Sequence, residues 1–253
     1  MISIIDFAHS DPLYLGFENK AIVVRNNPFK NLDLVLSGDV QIGMVSLVSY
    51  LENAESLRLL KTANIHSLNK TISTVLISRA NRLKKEITVA ITSNTRTTEL
   101  YLDLVLSRLG IDHKFVHSDR KEADDLLSLA EYALLNGDEA LAVYRTRINI
   151  LMDVGSAFAR IFHISPVYAV SVSRIEEDPD TSALDSAVVR STEFKRECAR
   201  SLADRLKIPG TVAEDYYRTI LYDYDMHVSE TIEFVKKAYE SRARDGLSSS
   251  MFR

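Results

Sequence analysis

The most constraining feature of this chain is a block between Ile87 and Leu135 in which short β-rich runs alternate with helical stretches. Ile87–Ile91 reads as a strand, Ser93–Thr98 as a polar turn, and Glu99–Leu109 as a helix carrying Leu102, Leu106 and Leu109, closed by Gly110. His113–His117, Glu122–Leu129 and Tyr132–Leu135 then read as strand, helix and strand. A βαβαβ order calls for parallel pairing with right-handed crossovers, because neighbouring parallel strands can be joined only by a connection that packs back on the sheet.

The same alternation precedes the block. Ile2–Ile5, Ala21–Val24, Val40–Val45 and Thr71–Ser78 read as strands. Pro28 opens a helix that stops at Ser37-Gly38, and Ser46 is placed to cap a helix over Leu47–Asn53. After the block come a helix near Ala157–His163 and a run at Val167–Val172. Beyond Arg174 the periodicity is helical, over Ser182–Leu206 and Thr211–Arg244. The basic stretch 78–86 and the segment 172–180 read as crossings between two lobes, which makes the middle lobe an insertion. The expected division is 1–84 plus 172–253 for the first lobe and 85–171 for the second, with the late helices packing back on the first. Two α/β lobes joined twice leave a ligand cleft between them.

Composition removes other classes. With 31 Lys plus Arg against 35 Asp plus Glu, the net charge of −4 argues against a nucleic-acid partner. The single cysteine, Cys198, excludes an intrachain disulfide and a cysteine-only metal cluster. No run approaches the roughly 18 to 20 apolar residues of a membrane span, so no membrane partner is expected. No basic leader precedes the first apolar residues, so a cytoplasmic location is expected. The oligomeric state is not legible.

Ligands of open parallel sheets bind beyond the carboxyl ends of strands, where helix N-termini also point. That rule selects His9-Ser10-Asp11, Ser46, Thr95–Thr98 and Asn136-Gly137-Asp138. Thr92–Thr98 carries the most information: five hydroxyl residues, Asn94 and Arg96. At a helix start these offer amides, hydroxyls and a positive dipole end to an anion, with Arg96 as a further carboxylate contact; alternatively the hydroxyls only cap the helix. His9 is a candidate acid or base. Asn136–Asp138 is chiefly a turn signature. His113 and His117 share a strand face but lack a third ligand, so no metal site is expected.

Five segments together resemble the MqnA/MqnD family of the futalosine route to menaquinone. They are Phe7–Gly16 (FAHSDPLYLG), Gly38–Asn53 (GDVQIGMVSLVSYLEN), Thr92–Thr98 (TSNTRTT, similar to the S-x-[ST]-R-T-[ST] turn), Leu135–Leu141 (LNGDEAL) and Met152–Gly155 (MDVG). The resemblance implies a two-lobed type II periplasmic-binding-protein-like fold whose interlobe cleft is an enzyme site. Gly137 followed by Asp138, where the MqnD branch has its histidine base, favours the MqnA branch of chorismate dehydratases. His9 stands where that branch has Asn, and Pro166-Val-Tyr168 replaces a family Trp.

The resemblance thus implies loss of water from chorismate to give 3-[(1-carboxyvinyl)oxy]benzoate, with no cofactor. On that reading Asn94, Thr95, Arg96, Thr97, Thr98 and Asp138 hold the small carboxylate substrate from one lobe, Ser46 and Ser73 from the other, and His9 moves a proton. The alternative is a non-catalytic small-carboxylate binding protein of the same fold.

Overall fold

The structure, a computed structural model, describes residues 1–93 and 95–244. In chain order its elements are β1 (Ile2–Ile5), α1 (Asp11–Gly16), β2 (Val23–Asn26), α2 (Pro28–Ser37), β3 (Ile42–Ser46), α3 (Leu47–Glu52), β4 (Leu57–Ser67), β5 (Thr74–Ser78), β6 (Glu86–Thr92), α4 (Thr97–Arg108) and β7 (Asp112–Ser118). There follow α5 (Ala123–Leu126), β8 (Tyr132–Asn136), α6 (Gly137–Ala142), β9 (Asn149–Asp153), α7 (Val154–Phe162), β10 (Val167–Arg174), α8 (Ser182–Leu206), α9 (Gly210–Thr219), β11 (Ile220–Leu221) and α10 (Met226–Arg244).

Local signals explain several of these boundaries. Pro28 occupies the first turn of α2, the Asn27 side chain accepts from the Lys30 amide at 2.9 Å, and Gly38 ends the helix at φ +81°. The Ser46 hydroxyl accepts from the Ser49 amide at 3.1 Å and so starts α3 directly after β3. Gly43 has no room for a side chain, since a Cβ there would collide with Val35 of α2.

Two sheets form. The first has the order β11-β4-β10-β3-β1-β2 and the second β7-β6-β8-β5-β9. β1, β2 and β3 are parallel, as are β6, β7 and β8; β10 joins the first sheet antiparallel to β3, and β5 joins the second antiparallel to β8. Each lobe is therefore a parallel α/β unit extended by antiparallel strands, rather than purely parallel. The eleven-residue β4, without a counterpart in the sequence reading, contains buried Thr62, Asn64 and His66.

The chain crosses between sheets at 68–73 and returns at 163–166. The lobe limits expected at 84/85 and 171/172 are thereby corrected. β5 pairs inside the second sheet, and β10 lies between β3 and β4 in the first. The basic stretch 79–85 is a loop of the second lobe, with Arg79 paired to Asp124 and Lys84 to Glu131. At the first crossing Ile72 adopts φ +67°, an unfavourable conformation for a β-branched residue, costing on the order of 1–3 kcal/mol. Asp153 sustains it: its carboxylate accepts from the Ile72 amide at 2.6 Å and the Thr71 amide at 3.3 Å, and caps α7 through the Ser156 amide at 2.8 Å.

The first lobe's core joins β1 and β3 to α1, α8 and α9 through Ile4, Leu13, Phe17, Leu202 and Tyr216. α1 and α8 touch so closely that a Cβ on Gly16 would collide with the Ala187 carbonyl. A second core spans both lobes, from Val45 and Val170 to Leu76, Val89 and Tyr101. The late helices divide: α8 and α9 pack on the first lobe, whereas α10 straddles the two. Phe234 of α10 lies 5.2 Å from the Phe162 ring, and Arg242 pairs with Asp103 of α4 at 2.9 Å. Among the described residues, no helix is long and apolar enough to cross a membrane.

Candidate functional site between the lobes

The carboxyl ends of β1, β3, β6 and β8 converge on one half-open cavity. Phe7, His9 and Ser46 come from the first lobe, Thr95–Thr98 from the turn after β6 and the start of α4, Asn136 and Gly137 from the end of β8, Thr71 and Ser73 from the crossing, and Thr74 from the start of β5. The two helix starts meet here, with the Val48 amide of α3 donating to the Thr97 hydroxyl at 3.2 Å. The first-turn amides of α4 have no partner within their own helix and carry its positive dipole end.

The second-lobe wall is polar and incompletely satisfied. Asn136 donates through Nδ2 to the Thr95 hydroxyl at 3.1 Å, yet its Oδ1 is buried with no protein partner, as is the Thr74 hydroxyl. Burying such groups unpaired costs about 1–3 kcal/mol each, so this wall is held together at some energetic cost. Thr71 is hydrogen-bonded to the Tyr168 hydroxyl and to Ser67 at 3.2 Å. Burial pushes the Tyr168 phenol well above its ordinary pKa, so it remains a protonated donor.

His9 lies on the opposite side. Tyr217 donates to the Ala8 carbonyl at 2.9 Å and Tyr222 to the His9 carbonyl at 2.7 Å, which braces the loop after β1 from behind. The ring nitrogen Nδ1 is 2.9 Å from the Ser10 hydroxyl, and the Phe7 ring stands edge-on at 5.7 Å. Burial drives the His9 pKa down to about 4; Asp138 opposes the shift and Arg25 reinforces it. At neutral pH the imidazole is uncharged and able to accept a proton.

Among the residues singled out from sequence, His9, Ser46, Ser73, Thr95, Arg96, Thr97 and Thr98 line this cavity. Ser46 is committed to capping α3, its hydroxyl also donating to Ser49 at 2.8 Å. The Arg96 guanidinium places Nη1 2.6 and 2.7 Å from the two carboxylate oxygens of Glu52 and lies 5.4 Å from the Phe29 ring, so its charge is already engaged. Burial raises the Glu52 pKa, with Arg96 opposing.

Asp138 is a correction, since it does not line the cavity. α6 begins at Gly137 with φ +61°, and Asp138 turns toward α8, where it meets Arg205 at 2.6 Å. Asn94 lies outside the described residues. His113 pairs with Asp103 at 2.9 Å and His117 with Glu99 at 3.0 Å; no group of three His, Cys, Asp or Glu suited to a metal ion occurs among the described residues.

Sequence reasoning missed Thr71, Thr74 and Tyr168, which have no local signal because they become wall residues only through the crossing and β10. Asn136 is among the residues that the strand-end rule selects, but its turn signature masks it and the binding role falls to its neighbour Asp138 instead.

Solved structures share this architecture. Protein AF1704 from Archaeoglobus fulgidus superposes with a TM-score of 0.73 at 12% identity, over 97% of each chain. The periplasmic aliphatic sulphonate binding protein SsuA of Escherichia coli gives 0.68 at 11% identity, over 96% of this chain and 87% of its own. A Candida albicans gene product described as having the generic periplasmic binding protein fold gives 0.53 at 13% identity, over 94% and 89%. The two-lobed periplasmic-binding-protein architecture implied by the sequence is thus the observed one. A chorismate dehydratase from Thermus thermophilus is 26% identical over 226 residues, 81% of this chain and 80% of that protein. A sequence profile described as menaquinone biosynthesis matches residues 1–240, and the chain accordingly belongs to the menaquinone biosynthesis family.

Proposed function

We propose that this protein is a carbon–oxygen lyase that removes water from chorismate, giving 3-[(1-carboxyvinyl)oxy]benzoate. The observation that carries the reading is a half-buried, neutral imidazole sharing one cavity with the amide- and hydroxyl-rich start of α4. Family membership and the chorismate dehydratase relative point the same way.

Chorismate bears two carboxylates, and its ring becomes aromatic when the ether-bearing carbon loses a proton and the adjacent carbon loses its hydroxyl. In the proposed reaction the α4 amides with Thr97 and Thr98 hold one carboxylate. Thr74 and Asn136 complete the polar wall beside it. His9 accepts the ring proton and returns it to the departing hydroxyl, so one proton passes from carbon to oxygen and water leaves. Aromatisation supplies the driving force, and lobe closure excludes solvent. The proposed setting is the cytoplasm.

Steady-state assay with chorismate, following appearance of the aromatic enol ether, tests this. Turnover is expected, and folded protein that binds chorismate without converting it would overturn the assignment. Such a result would favour the second reading, a non-catalytic carboxylate-binding protein, which the sulphonate-binding structural neighbour supports.

A further inference from the structure

Among the described residues, two ion pairs beside the cavity connect the lobes with opposite polarity, and a third joins Arg242 of the straddling α10 to Asp103. On one flank Arg96 of the second lobe meets Glu52 at the end of α3, Nη1 lying 2.6 Å from Oε1. On the other, Asp138 of the second lobe meets Arg205 near the end of α8 at 2.6 Å. Each is accompanied by a hydrogen bond between the lobes. The Val48 amide donates to Thr97 at 3.2 Å beside the first, and Arg145 donates to the Leu206 carbonyl at 2.8 Å beside the second.

We infer that Glu52 and Arg205, neither of which lines the cavity, are positioning residues that dock the two lobes in register through Arg96 and Asp138. The second lobe presents a cation on one flank and an anion on the other, and the first lobe presents the reverse. A closure rotated out of register leaves these charges unpaired, and only one orientation pairs both, which is how charge patterns fix the geometry of an interface. The Arg96–Glu52 pair is the more enclosed, with side chains 25% and 20% exposed, so solvent screens it less than the Arg205–Asp138 pair. Glu52 also lies 3.5 Å from the Tyr239 hydroxyl of α10, which ties that flank to the helix straddling both lobes.

The test is charge reversal with a swap, read by small-angle scattering of the ligand-free protein and by chorismate kinetics. Arg205→Glu is expected to enlarge the radius of gyration. Losing closed molecules is expected to raise KM roughly threefold to tenfold while kcat stays within about twofold, because substrate then has to recruit the competent state. Combining Asp138→Arg with Arg205→Glu restores the pair with reversed polarity and is expected to recover both readouts. Glu52→Gln, which removes charge without reversing it, is expected to give the same signature and covers the case of a charge-reversal variant that does not fold. Unchanged size and KM in Arg205→Glu and Glu52→Gln, or a double variant no better than its singles, would overturn the inference. Scattering needs no turnover, so a wild-type protein inactive on chorismate would defeat the proposed reaction while leaving the docking test intact.

Discussion

The two lobes are built from the same parts yet present different walls to the cavity. Each has a parallel triplet of strands extended by an antiparallel strand that has crossed over. The second lobe offers hydroxyls, an amide side chain and a helix start, with the Thr74 hydroxyl and Asn136 Oδ1 unpartnered. The first offers mainly apolar surface from Ile5, Phe7 and Ile65 around one neutral imidazole. One wall is suited to holding an anion and the other to keeping a proton acceptor dry, so binding and proton transfer are separable by substitution.

The largest expected effect lies on the first lobe. His9→Gln should lower kcat by roughly 10²- to 10⁴-fold, the usual worth of a general acid–base group, while affinity for 3-hydroxybenzoate changes little. Retained turnover with lost affinity would reverse the assignment of the two walls. Next, Thr98→Val should weaken 3-hydroxybenzoate binding about tenfold in calorimetry, one charge-assisted hydrogen bond, with a smaller change in kcat. A kcat defect at unchanged affinity would contradict the anion-holding role.

Acid and base should then act oppositely on the lobes. The folded His9 pKa of about 4 lies below its unfolded value, so the folded state binds fewer protons than the unfolded chain between about pH 4 and 6.5. Its contribution therefore favours neutral pH and is lost as pH falls through that window. Glu99 on α4 has its pKa raised to about 7, by burial first, with its hydrogen bond from His117 opposing. The folded state then holds the extra proton, and the contribution is lost as pH rises from about 4.5 through 7. In denaturant titrations, His9→Gln should stabilise the protein at pH 5 relative to wild type and Glu99→Gln at pH 8, each by about 1 kcal/mol. Matching slopes in the two variants would remove the contrast. Smallest, Thr74→Val should raise stability by about 0.5–1 kcal/mol, because it deletes a buried hydroxyl that has no hydrogen-bond partner. Lower stability on thermal melting would show that the hydroxyl is already satisfied.

Much of this architecture is legible locally. Pro28, Gly38 and Ser46 mark their boundaries, and the rule about strand ends collects residues from β1, β3 and β6 into one cavity. What stays hidden depends on distant partners. β4 escapes because Thr62, Asn64 and His66 break its apolar pattern. All three are nonetheless buried, Thr62 bonding Asp185 and Asn64 the Asp223 carbonyl at 2.7 Å, while His66 bonds Asn64 along the strand. The break at 220–225 is invisible to helical periodicity because Ile220–Leu221 form only a two-residue strand on β4. The crossings mislead because charge marks 79–85 as a linker, whereas the true crossing at 68–73 is set by Asp153, some eighty residues away. Likewise, Arg96 looks like a ligand contact until Glu52 is seen beside it.

The grip of Asp153 has a mechanical consequence. The backbone of Thr71 and Ile72 is fastened to the second lobe, whereas the Thr71 hydroxyl is fastened to Ser67 and Tyr168 of the first. That one residue acts as the pin of an axle, so Ser73 and Thr74 travel with the hydroxyl-rich half when the jaws part. In the proposed reaction, opening would therefore separate these groups from the imidazole and leave them beside the threonines.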